Sequence, residues 1–383
     1  MKKKYRMCNR CVMDNTSDST ITFNNEGICN YCTKALKDIN KRYFPNDVGK
    51  EKLLQMISRL KREGKGQKYD CLMGISGGLD SSYLAYLGAI KWGLRILGVH
   101  IDDGFDTELA KKNIENLCSK TGIKLLTIKP DPLQYNDLIR AYILAEVPNI
   151  AIPQDNVLFA YLYNCAKNHK VKYFLSGSNF ALESILQVGN SHGAFDLTNL
   201  LDIHSKFGTK PIDKLNFLSN KNKRTNRYFY NIKTYQPLNY IDYNKQKAID
   251  ELATFSNFTY YEAKHLENTL TKVIQLSWFY NKFNVDKRKS HFSSLIVTGQ
   301  MNREDALTEL SKPVYDKGNM EEDEKFVLGK LGLSYDEFHS ILIREGKQHN
   351  FYKTEPKQSY LSGLFWKIIH RLFFLVKNTN NKL

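Results

Sequence analysis

The sequence predicts an α/β protein built on a doubly wound parallel sheet, with a small metal-held module ahead of the sheet and a largely helical part behind it. Three observations carry this. From residue 71 to 175, short apolar runs alternate with longer amphipathic stretches, the pattern of parallel strands crossed over by helices. The stretch Cys71-Leu-Met-Gly-Ile-Ser-Gly-Gly-Leu-Asp-Ser-Ser82 leaves an apolar segment, turns through two glycines and enters Tyr83 to Ile90 at helical spacing, which reads as strand, glycine turn and helix start. Cys8-x-x-Cys11 and Cys29-x-x-Cys32, seventeen residues apart, have the spacing of a four-cysteine zinc ribbon. These place a ribbon module at 1–45, the sheet domain at 46–205, a helical region at 206–350 and an amphipathic end at 351–383.

Within the first module, Ile21-Thr-Phe23 and the turn Asn24-Asn-Glu-Gly27 suggest a short hairpin between the cysteine pairs. Four thiolates would close the coordination of a zinc ion, so its expected role is structural. Cys71, Cys118 and Cys165 fall on a strand and two helices, where a cysteine is more often a small buried hydrophobe. With an odd count of seven, no disulfide framework is expected. The start, Met1-Lys-Lys-Lys-Tyr-Arg6, is basic but lacks the apolar run of a secretory signal, so a cytoplasmic protein is expected. A net charge of +16 over 383 residues suits phosphorylated or acidic ligands, nucleic acid or an anionic membrane surface, without choosing among them.

Glu51 to Lys61 reads as an amphipathic helix leading to the first strand. After the glycine turn and its helix comes the apolar run Leu94 to Ile101, a buried strand ending in His100, Asp102, Asp103 and Gly104. A helix from Asp106 to Lys120, a strand Lys124 to Ile128, helical segments to Ala145 and from Asp155 to His169, and a strand Val171 to Leu175 follow. In such sheets ligands sit beyond the carboxyl ends of the strands, and each polar cluster lies at one of these ends.

The turn after the first strand has the chemistry of a phosphate cradle. Gly74, Gly77 and Gly78 let backbone N–H groups approach an anion, Ser76 and Ser81 offer hydroxyls, Asp80 can hold a cation or orient the loop, and the helix offers its positive end. Neither the Walker pattern nor Gly-x-Gly-x-x-Gly is present. His100 and Asp102, with Asp103, fit a ribose, an adenine edge or magnesium, and equally a solvated turn. Gly177, Asn179 and Glu183 repeat the strand, glycine turn and helix start, and fit a ligand contact or a plain helix cap. The basic stretch Thr209 to Lys233 reads as a solvated loop or as a contact for a substrate phosphate or a subunit. Glu321-Glu-Asp-Glu324 reads as a solvated helix start.

Ser-Gly-Gly-Leu-Asp-Ser resembles the PP-loop of the ATP pyrophosphatases, which split ATP to AMP and pyrophosphate while adenylating a carbonyl oxygen. Together with Arg10-Cys-Val-Met-Asp14, Gly27-Ile-Cys-Asn-Tyr-Cys32, the Asn179 to Ser184 turn, Lys264-His265 with Glu267, Asp286 to Ile296 and Gly299-Gln300, the chain resembles the N-acetyl sugar amidotransferases. Those enzymes serve surface-polysaccharide (lipopolysaccharide O-antigen) and flagellin-sugar pathways, pseudaminic acid among them. The resemblance implies conversion of an acetamido group on a nucleotide-linked sugar to an acetamidino group, with ATP, Mg2+ and a structural Zn2+. It implies catalytic roles for Ser76, Asp80, Ser81, Lys264 and His265, and substrate contacts from Tyr260, Lys264, His265, Lys287, Arg288 and His291. Ammonia would come from a separate glutaminase with a cyclase-like channel subunit, since the chain shows no glutaminase nucleophile motif. Glu262-Ala263 stands where the family has two glycines, and Leu266 and Asn268 where it has Tyr and Ser. Two rival readings are a PP-loop transfer-RNA-thiolating enzyme and a nucleotide-binding scaffold without catalysis; a nucleic-acid partner is not expected. The segment Leu361 to Lys377 is basic and shorter than the roughly 20 apolar residues needed to span a bilayer, so it reads as a helix docked on protein or lying at the inner face of the membrane.

Overall fold

Five strands, β1 (Cys71–Gly74), β2 (Ile96–Ile101), β3 (Lys124–Ile128), β4 (Tyr173–Leu175) and β5 (Lys233–Tyr235), form one sheet in the order β3-β2-β1-β4-β5. Every pairing is parallel, with Leu72 opposite both Leu97 and Phe174. The order reverses between β1 and β4, which opens a crevice at their carboxyl ends. The computed structural model describes residues 4–16, 18–261 and 266–356.

Both faces of the sheet are covered. Cys71 and Met73 of β1 point into one buried cluster, while Leu72, between them, points into another with Leu97, Val99 and Phe174. That alternation at full burial is why the strands read as unbroken apolar runs, each such side chain contributing about 1.5–3 kcal/mol. Helices α1 (Asn30–Arg42), α2 (Asp47–Glu63), α3 (Leu79–Tyr86) and α4 (Glu108–Thr121) pack on the first face; α5 (Pro132–Leu144) and α6 (Ile152–Asn168) follow β3. Ala160, Leu162 and Cys165 of α6 cover the second face. Beyond β4 come the short α7 (Phe180–Glu183), α8 (Leu197–Phe207) and α9 (Asn220–Tyr228).

The rest is helical: α10 (Lys245–Ser256), α11 (Thr269–Val273) with a π-helical continuation Ile274–Lys282, α12 (Lys287–Val297), α13 (Arg303–Ser311), α14 (Lys317–Leu331) and α15 (Tyr335–Ile343). Trp278, fully buried, anchors this part by donating from Nε1 to the carbonyls of Val147 (3.0 Å) and Pro148 (3.1 Å).

The short hairpin expected between the cysteine pairs is present at minimal length: Asn24 N–H donates to the Ile28 carbonyl (3.0 Å), Asn30 N–H to the Thr22 carbonyl (2.9 Å), and Phe23 and Cys29 form a single antiparallel bridge. Two expectations are corrected. The basic stretch 209–233 is not all loop but contains α9 and leads into β5. That strand carries Lys-Thr-Tyr on the open edge of the sheet, where partial exposure removes the apolar signature. Glu321–Glu324 lies within α14, and Glu324 is buried, accepting from Ser277 Oγ (2.5 Å) and contacting His339 Nε2 (2.9 Å). Among the described residues no helix is long and apolar enough to cross a membrane; the amphipathic stretch 361–377 lies outside them.

Candidate active site

β1 delivers the chain to the crevice and the loop 75–78 turns it into α3. Gly77 has φ +76°, and a Cβ there would lie 2.5 Å from the Ala110 carbonyl oxygen of α4, so only glycine permits this turn. Within the loop, Gly78 N–H donates to Ser76 Oγ (3.2 Å), Ser76 N–H to Ser81 Oγ (3.4 Å), and Ser81 Oγ–H to the Gly78 carbonyl (3.1 Å). The hydroxyls are therefore fixed before any ligand arrives. Gly78 caps α3 without a side-chain acceptor, and Leu79 N–H donates to Tyr261 OH at 3.0 Å. Asp80 accepts from the buried Tyr243 OH. Gly177, after β4, approaches so closely that a Cβ would sit 3.1 Å from the Asp80 backbone.

Two cavities meet at this loop. One, of about 740 Å³, is walled by Gly78, Asp80, Ser81, Gly177, Glu183, Tyr260, Arg288 and His291. The other, of about 500 Å³, is walled by Gly74, His100, Asp103, Asp106, Asp155 and Lys287. Ser76 and Glu267 line both. Ser76 Oγ–H donates to Glu267 Oε1 at 3.2 Å, and Glu267 Oε2 is buried with no hydrogen-bond partner among the described residues.

In the smaller cavity His100 bridges the turns that follow β1 and precede α4: Nδ1 meets the Ile75 carbonyl (2.9 Å) and Nε2 lies 3.1 Å from Asp106. Burial opposes its imidazolium, but Asp106 outweighs it and the pKa rises above the usual range. Asp103 accepts from Gln154 (2.9 Å), Asn268 (2.9 Å) and Tyr135 OH (3.1 Å); burial, then Asp106, push its carboxyl up. Lys287 places its ammonium over the Phe279 ring, 5.1 Å from the centroid, and burial lowers its pKa.

In the larger cavity Tyr260 stacks on Tyr261 at 5.3 Å and carries the Lys245 ammonium 4.7 Å from its ring centre. Burial, then Asp80 for Tyr260 and Glu267 for Tyr261, raise both phenols. Arg288 binds Asp286 through Nε (3.1 Å) and Nη2 (2.8 Å) and the Lys312 carbonyl through Nη1 (3.0 Å), so its fork shapes the wall. Ser178 Oγ donates to Glu183 at 2.6 Å.

Gly77, Asp102 and Asn179 do not line either cavity. Gly77 faces α4; Asp102 turns outward to Lys129 (3.0 Å); Asn179 is buried as the cap of α7, accepting from Leu182 N–H at 2.9 Å. Lys264 and His265 lie outside the described residues. Asp106, Gln154, Tyr243, Tyr261 and Lys245 were not marked by the sequence: Asp106 and Tyr261 stand beside the marked Asp103 and Tyr260 without a signal of their own, and Gln154, Tyr243 and Lys245 come from segments with no local motif.

Cys8, Cys11, Cys29 and Cys32 are fully buried and bring their four Sγ atoms within 4.8 Å of one another. Cys8 Sγ lies 4.0 Å from Cys32 Sγ, and Cys11 Sγ 3.8 Å from Cys29 Sγ. Backbone N–H groups of Cys29 (3.2 Å) and Arg10 (3.4 Å) point at Cys8 Sγ. Neighbouring thiols pull the Cys8 thiol well below its usual range. The donor set fits a metal.

Residues 267–372 match the family model described as "LPS biosynthesis protein WbpG-like, C-terminal domain". The chain is 23% identical over 321 residues to "Uncharacterized protein MJ1599" of Methanocaldococcus jannaschii, covering 82% of this chain and 96% of that one. Among solved structures, the NMN synthetase of Francisella tularensis is similar at 17% identity and TM-score 0.28, over 55% of this chain and 93% of that one. The U34-tRNA thiolase NcsA of Methanococcus maripaludis, solved with its 4Fe-4S cluster, is similar at 14% identity and TM-score 0.31, over 77% and 85%. The strand order puts Ser-Gly-Gly-Leu-Asp-Ser at the end of the central β1 of a doubly wound parallel sheet, preceded by a four-cysteine cluster and followed by a helical part.

Proposed function

We propose that this chain, a PP-loop fold joined to a WbpG-like C-terminal domain, is an ATP-dependent amidotransferase of lipopolysaccharide O-antigen or related surface-sugar synthesis. It converts the N-acetyl group of a nucleotide-linked sugar to an acetamidino group. The observation that carries the reading is the pair of cavities meeting at Ser76 and Glu267: a phosphate loop at the junction of two chambers suits a reaction that joins two bound substrates.

An amide carbon resists ammonia because its oxygen would have to leave as hydroxide. If the amide oxygen attacks the α-phosphorus of ATP, pyrophosphate departs and the oxygen is converted to an AMP ester. Ammonia then adds to the imidate carbon, AMP leaves with that oxygen, and the amidine remains. No enzyme nucleophile is required. The loop N–H groups and the Ser76 and Ser81 hydroxyls would receive charge on the departing pyrophosphate. Asp80 and the free oxygen of Glu267 fit a magnesium ion travelling with the nucleotide, whose chemistry is to neutralise phosphate charge. Lys287 and His291, on one helix and facing different cavities, together with Tyr260 and with Lys264 and His265 next to it in sequence, are proposed to meet the sugar nucleotide. Ammonia is proposed to come from a separate glutaminase through a cyclase-like channel subunit.

The cysteine site is proposed to hold zinc. A tetrahedral ion with metal–sulfur bonds of about 2.3 Å spaces its sulfurs about 3.8 Å apart, matching the separations of 3.8 and 4.0 Å here. A multi-iron cluster interposes several metal atoms and holds its thiolates farther apart. For the transfer-RNA-thiolating alternative, the remaining cysteines offer little support: burial raises all three thiols, Cys118 to about 11.

The test is mass spectrometry of candidate nucleotide-linked N-acetyl sugars after incubation with the protein, ATP, magnesium and an ammonium salt at mildly alkaline pH. AMP and pyrophosphate release with a product about 1 Da lighter, an oxygen exchanged for NH, supports the reading. AMP release with transfer RNA and with none of the sugars overturns it.

A further inference from the structure

The four-cysteine module does more than sit at one end of the chain. Its bonds to the rest of the protein converge on the elements that wall the two cavities opposite the phosphate loop. Val12 N–H donates to Ser293 Oγ (3.3 Å) and Lys289 Nζ donates to Asp14 Oδ2 (2.5 Å), both partners being on α12. Asp14 is 1% exposed, so this ion pair is shielded from solvent screening. Arg303, at the start of α13, donates to the carbonyls of Cys8 and Cys11, 3.2 Å each. These two carbonyls belong to cysteines of the metal site itself.

A second set of bonds reaches the loop 184–191. Tyr31 OH accepts from Val188 N–H (2.9 Å), and Asp18 accepts both from Gly189 N–H (3.2 Å) and from Tyr31 OH. Gly189 fits so closely that a Cβ there would lie 2.1 Å from Asp18 Oδ1. Tyr31 stands directly before Cys32 at the start of α1, so the phenol that grips this loop is set by a metal-ligating turn.

Both gripped elements carry cavity walls. α12 sends Lys287 into the smaller cavity and His291, Phe292 and Leu295 into the larger, while the loop contributes Gln187, Asn190 and Ser191 to the smaller. We propose that the metal-loaded module is a positioning device for the acceptor side of the active site, with the Lys289–Asp14 pair and the Tyr31–Asp18 grip as its two links. Lys289 and Asp14 are positioning residues: they touch neither cavity, and they set where Lys287 and His291 stand. The phosphate loop runs from β1 into α3 against α4, elements that none of these links touches. The part played by a sugar acceptor rests on the function proposed above; the mechanical link does not.

The experiment uses the full chain and three readouts. In Lys289→Met, metal content by elemental mass spectrometry stays at one ion per chain and affinity for ATP stays within about twofold, while amide hydrogen exchange across 287–297 rises about tenfold. Lys289→Arg, which keeps the cation, restores protection. Stripping the metal from the wild-type protein with a chelator raises exchange in both 287–297 and 184–191 while 71–86 stays protected. With an accepted sugar, Lys289→Met raises the KM for sugar about tenfold at little change in KM for ATP. Unchanged exchange in 287–297 overturns the proposal, and so does a uniform rise that includes 71–86, which would make the module a support for the whole fold. Failure to find any accepted sugar counts against the proposed function alone, since the exchange and ATP readouts need no sugar.

Discussion

Ser76 Oγ donates to Glu267 Oε1 at 3.2 Å, closing a contact between residues 191 positions apart in the chain. Ser76 opens the phosphate loop, and Glu267 leads into α11 in the helical part. Their bond is the seam between the two cavities. The other oxygen of Glu267, buried and without a hydrogen-bond partner among the described residues, carries a cost that a cation or donor arriving with the nucleotide would relieve.

Glu267→Gln keeps an acceptor for Ser76 and removes the charge. The expected outcome is a rise of about tenfold in the magnesium concentration needed for half-maximal pyrophosphate release, equivalent to about 1.4 kcal/mol. Pyrophosphate release titrated against magnesium checks this. An unchanged magnesium dependence would remove Glu267 from cation binding.

Gly77→Ala tests the loop geometry. Alanine at φ +76° with its Cβ 2.5 Å from the Ala110 carbonyl oxygen adds about 1–2 kcal/mol of left-handed strain and forces α3 and α4 apart. The fold, held by clusters on both faces of the sheet, survives. ATP affinity, measured by calorimetry, falls at least about tenfold because the N–H groups no longer converge.

The loop was legible because its causes are local: an apolar run, glycines where the backbone needs them, and a helical spacing restart within a dozen residues. The cysteine site was legible from spacing for the same reason. Legibility fails where the chain leaves a strand. His100 faces the cavity while Asp102 turns out to Lys129; past Ile101 the strand alternation no longer governs, and the Gly104 turn at φ +84° brings Asp103 and Asp106 inward instead. Tyr243 and Tyr261 had no such signal, because their role is set by tertiary packing against α3. β5 was hidden for a different reason: at the sheet edge its exposed Lys-Thr-Tyr lacks the apolar run that marks a central strand.

The pair His100–Asp106 gives a pH signature. Asp106 raises the folded pKa of His100 against the opposing effect of burial. The stabilisation from this pair is thus fully present below the unfolded value of about 6.5 and is lost as pH rises through the higher folded value. In Asp106→Asn burial acts unopposed by that charge, so the His100 midpoint drops, as read by NMR of the ring protons. The variant loses more stability at pH 5 than at pH 9; an equal loss at both would show that the charge plays no part.

His349 predicts the opposite slope at the acid end. It is 4% exposed, stacks on His192 with ring centres 4.6 Å apart, and meets Asn199 Oδ1 through Nδ1 at 3.0 Å. Burial, then the neighbouring His192, push its pKa down to about 3. Above about 6.5 the ring is neutral in both states; between there and about 3 the unfolded chain takes up a proton that the native state refuses, so stability falls as pH falls, by at most about 5 kcal/mol. The segment that follows is tied down beside it, with Lys353 N–H donating to Asp202 (3.0 Å) and Glu355 N–H to Asp196 (3.0 Å), so charging His349 should release this stretch from α8 first. His349→Phe keeps the stacked ring, loses the bond to Asn199 and does not titrate. It is therefore expected to be about 1 kcal/mol less stable than wild type at pH 8 and to lose less on acidification, so that the two curves cross at about pH 6 and the variant is the more stable at pH 4. Thermal unfolding across that range decides it: parallel curves would mean that another group carries the acid sensitivity.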